Sequence, residues 1–221
     1  PGAPLVWEGD ELARVEPLVR RLSGAGTAVS IDTRKASVME GAVRAGAAMI
    51  NDISALLYDD RALEVARVSD VPVVLMHAPS QSSDPHKNGV YDDVVCDVFD
   101  WLEQRIADVE AAGIKRDKIL VDPGIGFGKT VVQNFELLAR QSVLMSLDRP
   151  LMAAWSRKSS LGAVLAQDGL IPAPSERLSA SVAAALMAVE RGARLVRVHD
   201  VKATVDALRV WQAMASAAVQ N

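Results

Sequence analysis

Cysteine is nearly missing from this chain: Cys96 is the single one in 221 residues. That excludes an internal disulfide and fits a reducing compartment. No block of lysine and arginine occurs, and the net charge is −4 with a pI of about 5.4. A nucleic-acid or anionic-membrane surface is therefore not indicated. The longest apolar stretch, Val182 to Val189, falls far short of the ~20 residues of a membrane span. The first residues carry neither the basic nor the apolar region of a signal peptide. No low-complexity tract or domain linker interrupts the sequence. The expectation is one soluble, cytoplasmic domain spanning 1–221.

What is present is hydrophobic material, 50% of the residues, enough for one sizeable core. One unit recurs. A helical pattern ends at glycine or proline, a short apolar run follows, and the run stops at a polar residue. The runs are 27–32, 47–52, 73–77, 119–122, 151–158 and 193–200. Each is nearly unbroken, as in strands buried on both faces. Between them, 9–23, 35–45, 60–68, 93–112, 132–146, 176–191 and 201–219 carry apolar residues at helical spacing. Asp92, Ser175 and Asp200 are suited to N-caps, and Gly113 and Gly192 to helix stops. Strand–helix alternation predicts a parallel sheet with right-handed crossovers.

An open doubly wound sheet and a (β/α)8 barrel both fit that alternation. An open sheet gathers its ligand groups at one switch point, whereas a barrel uses many strand ends around one mouth. Here nearly every run ends in chemistry: Asp32, Asn51, His77, Asp122, Ser156–Lys158, and Arg197 with His199. That favours a TIM barrel, of which about six strands are represented. The longest connection, Ala78 to Tyr91, is polar and reads as a lid or a solvated loop.

The stretch LVDPGIGFGKT, residues 120–130, imitates a phosphate-binding loop. A P-loop places its first glycine five residues before the glycine of G-K-[ST]. Counting back from Gly128, that position is Pro123, and Gly124 comes one residue late. An ATP cradle is excluded, and the glycines need another reason. Asp32, Asn51 and Asp122 could grip a planar ring with adjacent N–H donors. They could equally be turn or cap residues. Lys158, Arg197 and His199 on one rim suit an anion such as a phosphate or diphosphate. A lone basic side chain is usually only a solvated charge. His77 could line the site or be a satisfied buried histidine, and His86 reads as exposed. The mouth then has a carboxylate and amide character and a cationic one, which suits a bipolar ligand.

These pieces resemble dihydropteroate synthase of folate biosynthesis. The matching stretches are SIDTRK (30–35), MINDIS (49–54), VVLMH (73–77), YDDVV (91–95), ILVDPGIGFGKT (119–130), SRKSSLG (156–162), PSERLSAS (174–181) and RVHDVK (197–202). The resemblance implies a (β/α)8 barrel, usually homodimeric and a sulfonamide target. Its reaction joins 4-aminobenzoate to the CH2 carbon of 6-hydroxymethyl-7,8-dihydropterin diphosphate and releases diphosphate, assisted by Mg2+. It implies that Asp32, Asn51, Asp122 and Lys158 hold the pterin, with Ile53 and Met76 against its faces and Phe127 shaping the wall. Arg197 and His199 would take the diphosphate, and Ser159 would lie near the aminobenzoate carboxylate. Lys158, Arg197 and His199 would be the catalytic groups.

The sequence departs from the family chiefly at its front. The family's first two strands, with the Mg2+-binding Asn and a loop ending in S-T-R-P-G, have no counterpart beyond Pro1-Gly2. The expectation is therefore strands three to eight of the barrel and no metal ligand in this chain. Ala154 and Ala180 stand where the family usually has glycine, and HAPSQSS replaces a His-x-Gln-Gly loop. Two rival readings are a methyltetrahydrofolate-binding methyltransferase domain and a non-catalytic pterin-binding protein.

Overall fold

The structure is a computed structural model describing residues 5–79 and 89–219. Most of the 78–91 loop, His86 and Pro1-Gly2 lie outside the described residues. Helix α1 (Glu8–Gly24) leads into β1 (Ser30–Asp32), α2 (Ala36–Arg44), β2 (Met49–Asp52), α3 (Ala62–Ser69) and β3 (Val73–Met76). Then come α4 (Val94–Ala111), β4 (Ile119–Asp122), α5 (Val131–Ala139) and β5 (Leu151–Ala153). The chain finishes with α6 (Ser159–Val164), α7 (Leu178–Glu190), β6 (Ala193–Val196) and α8 (Val201–Val219).

Among the described residues the sheet has six strands, all parallel, in the order β1-β2-β3-β4-β5-β6. A flat sheet would hold its outer strands roughly 24 Å apart, five spacings of about 4.8 Å. Yet Arg197, just past β6, donates Nη2 to Asp32 Oδ2 of β1 at 2.7 Å. The sheet is therefore strongly curled, as in part of a TIM barrel, and β1 and β6 face each other across its open side.

Strand alternation sorts the side chains. Ile31, Ile50, Val73, Leu75, Ile119, Val121, Leu151 and Ala153 join the core beneath the helices, with Met39, Val65, Leu102, Leu137 and Leu144 packed on them. The residues between them in sequence, Asp32, Asn51, Met76, Asp122 and Met152, project to the other face. Burying a leucine- or valine-sized side chain contributes about 1.5–3 kcal/mol, so a one-residue slip of any strand would be heavily penalised.

Four local expectations change. The pattern over 132–146 splits into α5 and a 3-10 segment, Gln141–Leu147, because the buried Gln141 amide donates to Ala188 O (2.8 Å) and Arg191 O (3.3 Å). The cap of α4 is Asp93 rather than Asp92; its carboxylate accepts from Val95 N and Cys96 N. Ser175 lies in a 3-10 turn ahead of α7, not at its cap. Arg197 and His199 lie beyond β6, so strand alternation does not set their directions, although Arg197 N still donates to Ala153 O at 3.0 Å.

Candidate active site

The sheet register gathers the predicted residues at one end. Asp32 pairs in register with Asn51, and Met76 with Asp122. Ala153, the last residue of β5, pairs with Val196, the last residue of β6. All are C-terminal strand ends, the face where barrels carry their chemistry.

Two cavities open there. One, of about 440 Å³, lies between β1 and β6, and Asp32, Asn51, Met152 and Arg197 are among its lining. The other, of about 510 Å³, is lined by Ala154, Ser156, Arg157, Lys158, Arg197 and His199, with Pro174 and Val198. Arg197 belongs to both. Ile53, Met76, Asp122, Phe127 and Ser159 line neither cavity. Ile53 is half-buried in the loop after β2, and Ser159 is exposed at the start of α6. Phe127 sits under Lys158, whose Nζ is 4.5 Å from the ring centroid. The anionic and cationic characters interleave instead of occupying opposite sides, because Asp32 and Arg197 form an ion pair.

Asp122 is 3% exposed and accepts from Gly124 N at 2.7 Å. Burial pushes its carboxyl above the ordinary range, while that N–H and the charges of Lys158, Lys129 and Arg197 pull against burial. Lys158 is pushed down by burial and held up by Asp122; it donates Nζ to Ile125 O at 2.8 Å. Each is the other's counter-charge, which is how buried charges survive.

The glycines of 124–128 now have their reason. Gly124, Gly126 and Gly128 all have positive φ. At Gly124 an added Cβ would stand 1.9 Å from the His77 carbonyl oxygen, so the turn requires glycine. Lys129, which looks like a P-loop lysine, is buried instead. Its Nζ donates to Gly124 O and Phe127 O, each at 3.1 Å, and meets His77 Nδ1 at 3.0 Å. Burial brings Lys129 down to about 7 and His77 to about 3. His77 is thus a neutral acceptor inside the fold. Thr130 caps α5 in a capping box with Gln133.

Two supporting residues, Asn134 and Arg177, were given no role by the sequence, and a third, Arg157, was named there only within the Ser156–Lys158 run. Asn134, on α5, accepts from Gly126 N and donates to Lys129 O, Thr130 O and Ser160 Oγ, tying the glycine loop to α6. Arg177 donates to Arg157 O and Lys158 O, and with two nitrogens to Pro172 O. Arg157, at φ +61°, forms a two-point contact with Asp200. Arg177 lay inside a motif already singled out; Asn134 carried no local signal.

Ser156 sets the donor of His199. Ser156 Oγ accepts from the His199 backbone N–H at 3.1 Å and lies 2.9 Å from Nδ1. With that N–H received, the hydroxyl can still donate to Nδ1, and a ring held in that way carries its proton on Nε2, where it can donate to an anion. The rim therefore offers carboxylates and an amide for a donor-rich ring, next to a lysine, an arginine and an imidazole N–H for a negative group. Among the described residues no three His, Cys, Asp or Glu side chains converge as a metal site.

Comparison with known proteins agrees with this chemistry. The family described as Pterin binding enzyme matches residues 1–199. Dihydropteroate synthase of Escherichia coli K12 is 41% identical over 218 residues, covering 98% of this chain and 75% of that protein. The Xanthomonas albilineans dihydropteroate synthase structure with 7,8-dihydropteroate superposes with a TM-score of 0.87 at 46% identity, covering 95% of this chain and 75% of that one. The same enzyme with 4-aminobenzoic acid gives a TM-score of 0.89, covering 97% and 75%. On a shared fold and that degree of identity, the chain belongs to the dihydropteroate synthases of the pterin-binding enzyme family.

Proposed function

We propose that the rim performs dihydropteroate synthesis as a dissociative displacement. The observation that carries it is the convergence of Asp32, Asp122, Lys158 and Arg197 at one end of the sheet, with Arg197 bonded to Asp32 and its charge acting on Asp122. Relatives bound to 7,8-dihydropteroate and to 4-aminobenzoic acid support the choice of ligands.

Asp32, Asn51 and Asp122 accept from and donate to the pterin ring edge, with Ile53 and Met76 near its faces and Phe127 beneath Lys158. The Asn51 side chain makes no hydrogen bond among the described residues, so its donor and acceptor are available. Arg197, His199 Nε2 and Lys158 face the leaving diphosphate. The C–O bond to diphosphate breaks first, and the electron-rich reduced pterin delocalises the positive charge left on the CH2 carbon. The neutral aryl amine then forms the C–N bond and loses a proton to solvent, so no strong general base is required. Cations placed where charge builds on the leaving group contribute roughly 3–4 kcal/mol each in comparable sites. Ser159, beside Lys158, is placed near the aminobenzoate carboxylate. Magnesium enters only through the family resemblance, and among the described residues no three His, Cys, Asp or Glu side chains cluster to hold it. A homodimer and a cytoplasmic location belong to the same reading.

The test is diphosphate release by the protein expressed from its whole gene, given pterin diphosphate and 4-aminobenzoate. Release that requires both substrates, with dihydropteroate formed, is expected. Tight pterin binding without release would favour the non-catalytic reading. Methyl transfer from methyltetrahydrofolate would favour the methyltransferase one.

A further inference from the structure

The segment after β2 is held in a conformation its residues disfavour. Ala55 and Leu56 both have positive φ, +52° and +64°, a region non-glycine residues avoid unless the surroundings over-determine it. Both are buried. Two charged groups do the over-determining. The Asp52 carboxylate, fully buried, accepts from Ser54 N (2.7 Å), Ser54 Oγ (2.6 Å) and Leu56 N (2.9 Å). From the opposite side Arg105, on α4, donates Nε to Ala55 O at 2.8 Å and Nη2 to Leu56 O at 3.3 Å.

Arg105 is only 7% exposed, and its nearest carboxylate, Asp108, stands 3.8 Å away. A buried guanidinium directed at main-chain carbonyls is costly to desolvate. A packing role alone would be met by methionine or leucine. What distinguishes the held segment is its place in the chain. It directly follows Asn51 and contains Ile53, the amide and the apolar side chain assigned to the pterin. A strained turn released at 55–56 would relax through Ser54 into those two residues.

We propose that Arg105 is a positioning residue for the pterin end of the site: it clamps the strained 52–56 turn so that Asn51 and Ile53 keep their places at the mouth. The inference rests on the reading of Asn51 and Ile53 as pterin-binding groups. It makes the site depend on a helix residue fifty positions from the turn it holds.

Steady-state kinetics on the protein expressed from its whole gene test it. Arg105→Met should raise KM for pterin diphosphate at least tenfold, with KM for 4-aminobenzoate and kcat changing less than threefold. Arg105→Lys, which still donates to carbonyls, should recover most of the loss. Ala55→Gly in the Arg105→Met background should also recover part of it, because glycine adopts the positive φ without the clamp. Both variants keep the test readable if Arg105→Met folds poorly. Equal changes in both KM values, or no rescue by lysine and glycine, would overturn the clamp. Asn51→Ala separates the two levels. If it leaves the pterin KM unchanged, the underlying site reading fails; if it raises that KM while Arg105→Met does not, only the clamp fails.

Discussion

Gly124→Ala isolates the part of the site that glycine alone can build. Gly26→Ala is its control. Gly26 has φ +80° with nothing within 4 Å of an added Cβ, so that substitution meets only the left-handed backbone penalty. The penalty is about 1 kcal/mol. Gly124 has φ +70°, and its added Cβ would lie 1.9 Å from the His77 carbonyl oxygen and 3.3 Å from Lys129 Nζ. The nearest atom is backbone, so it cannot swing aside as a side chain would. Overpacking of that kind adds about 1–3 kcal/mol. For a chain of this size each kcal/mol lowers Tm by about 2–4 °C. The control should therefore fall by about 2–4 °C and Gly124→Ala by about 4–16 °C, measured by circular dichroism and tryptophan fluorescence. The Gly124 N–H is also the hydrogen bond that Asp122 accepts. Pterin affinity should fall with Gly124→Ala and hold with Gly26→Ala. Equal Tm losses in the two variants, with affinity retained in both, would refute the claim that the β4 turn is closed against β3.

Acid stability should carry the signature of His77. Its folded value, about 3, lies below the ordinary 6.5, so the unfolded chain binds more protons between those values. Stability from this group is complete above 6.5 and is lost as pH falls toward 3, by about 1.4 kcal/mol per unit. Urea midpoints from pH 7 to 4.5 should drop less steeply in His77→Asn. Arg177→Met leaves the Pro172 and Arg157 carbonyls without their donor, while Lys158 O keeps the N–H groups of Leu161 and Gly162. It should cost about 3 kcal/mol in urea unfolding and lower kcat through Lys158. Arg197→Ala should reduce kcat/KM for pterin diphosphate by roughly a hundredfold or more. It should leave binding of a pterin without diphosphate intact by calorimetry, with under 1 kcal/mol lost in stability because its ion pair is exposed. Parallel loss of both ligands would show that Arg197 serves the ring end as well.

The strands were legible because each is a buried apolar run, and the polar residues that end the runs, Asp32, Asn51 and Asp122 among them, marked one end of the sheet. The end-of-strand chemistry also chose barrel over open sheet, and the curl between β1 and β6 agrees with that choice. Other features were not legible for identifiable reasons. Helix α6 has only six residues, too few to show a period. The break after α5 depends on Gln141 reaching a helix about fifty residues further on. Lys129 looked like a phosphate ligand because its neighbours in sequence imitate one; only burial shows it bonded to His77 and two carbonyls. Arg105 and Asn134 are polar residues on helices and Arg177 is the residue just before α7, and sequence periodicity assigns such residues to solvent. Each instead turns inward to satisfy the carbonyls of a loop, a role set by tertiary contacts that no local pattern encodes.

In the proposed function the pairing of Asp32 with Arg197 biases the rim modestly toward a bipolar ligand. At 42% and 56% side-chain exposure, the two charges satisfy each other in a contact that water largely screens. Such a pair contributes about 0–1 kcal/mol, so little is lost in parting it. A ligand that carries ring N–H donors at one end and a diphosphate at the other replaces both partners at once. In the proposed function Asp32 would receive the donors and Arg197 the anion. A ligand with only one of those ends leaves the opposite residue without its counter-charge. In that reading the ion pair links the two ends of the rim, and the preference it gives for a bipolar ligand over either half is bounded by its own worth, at most about 1 kcal/mol.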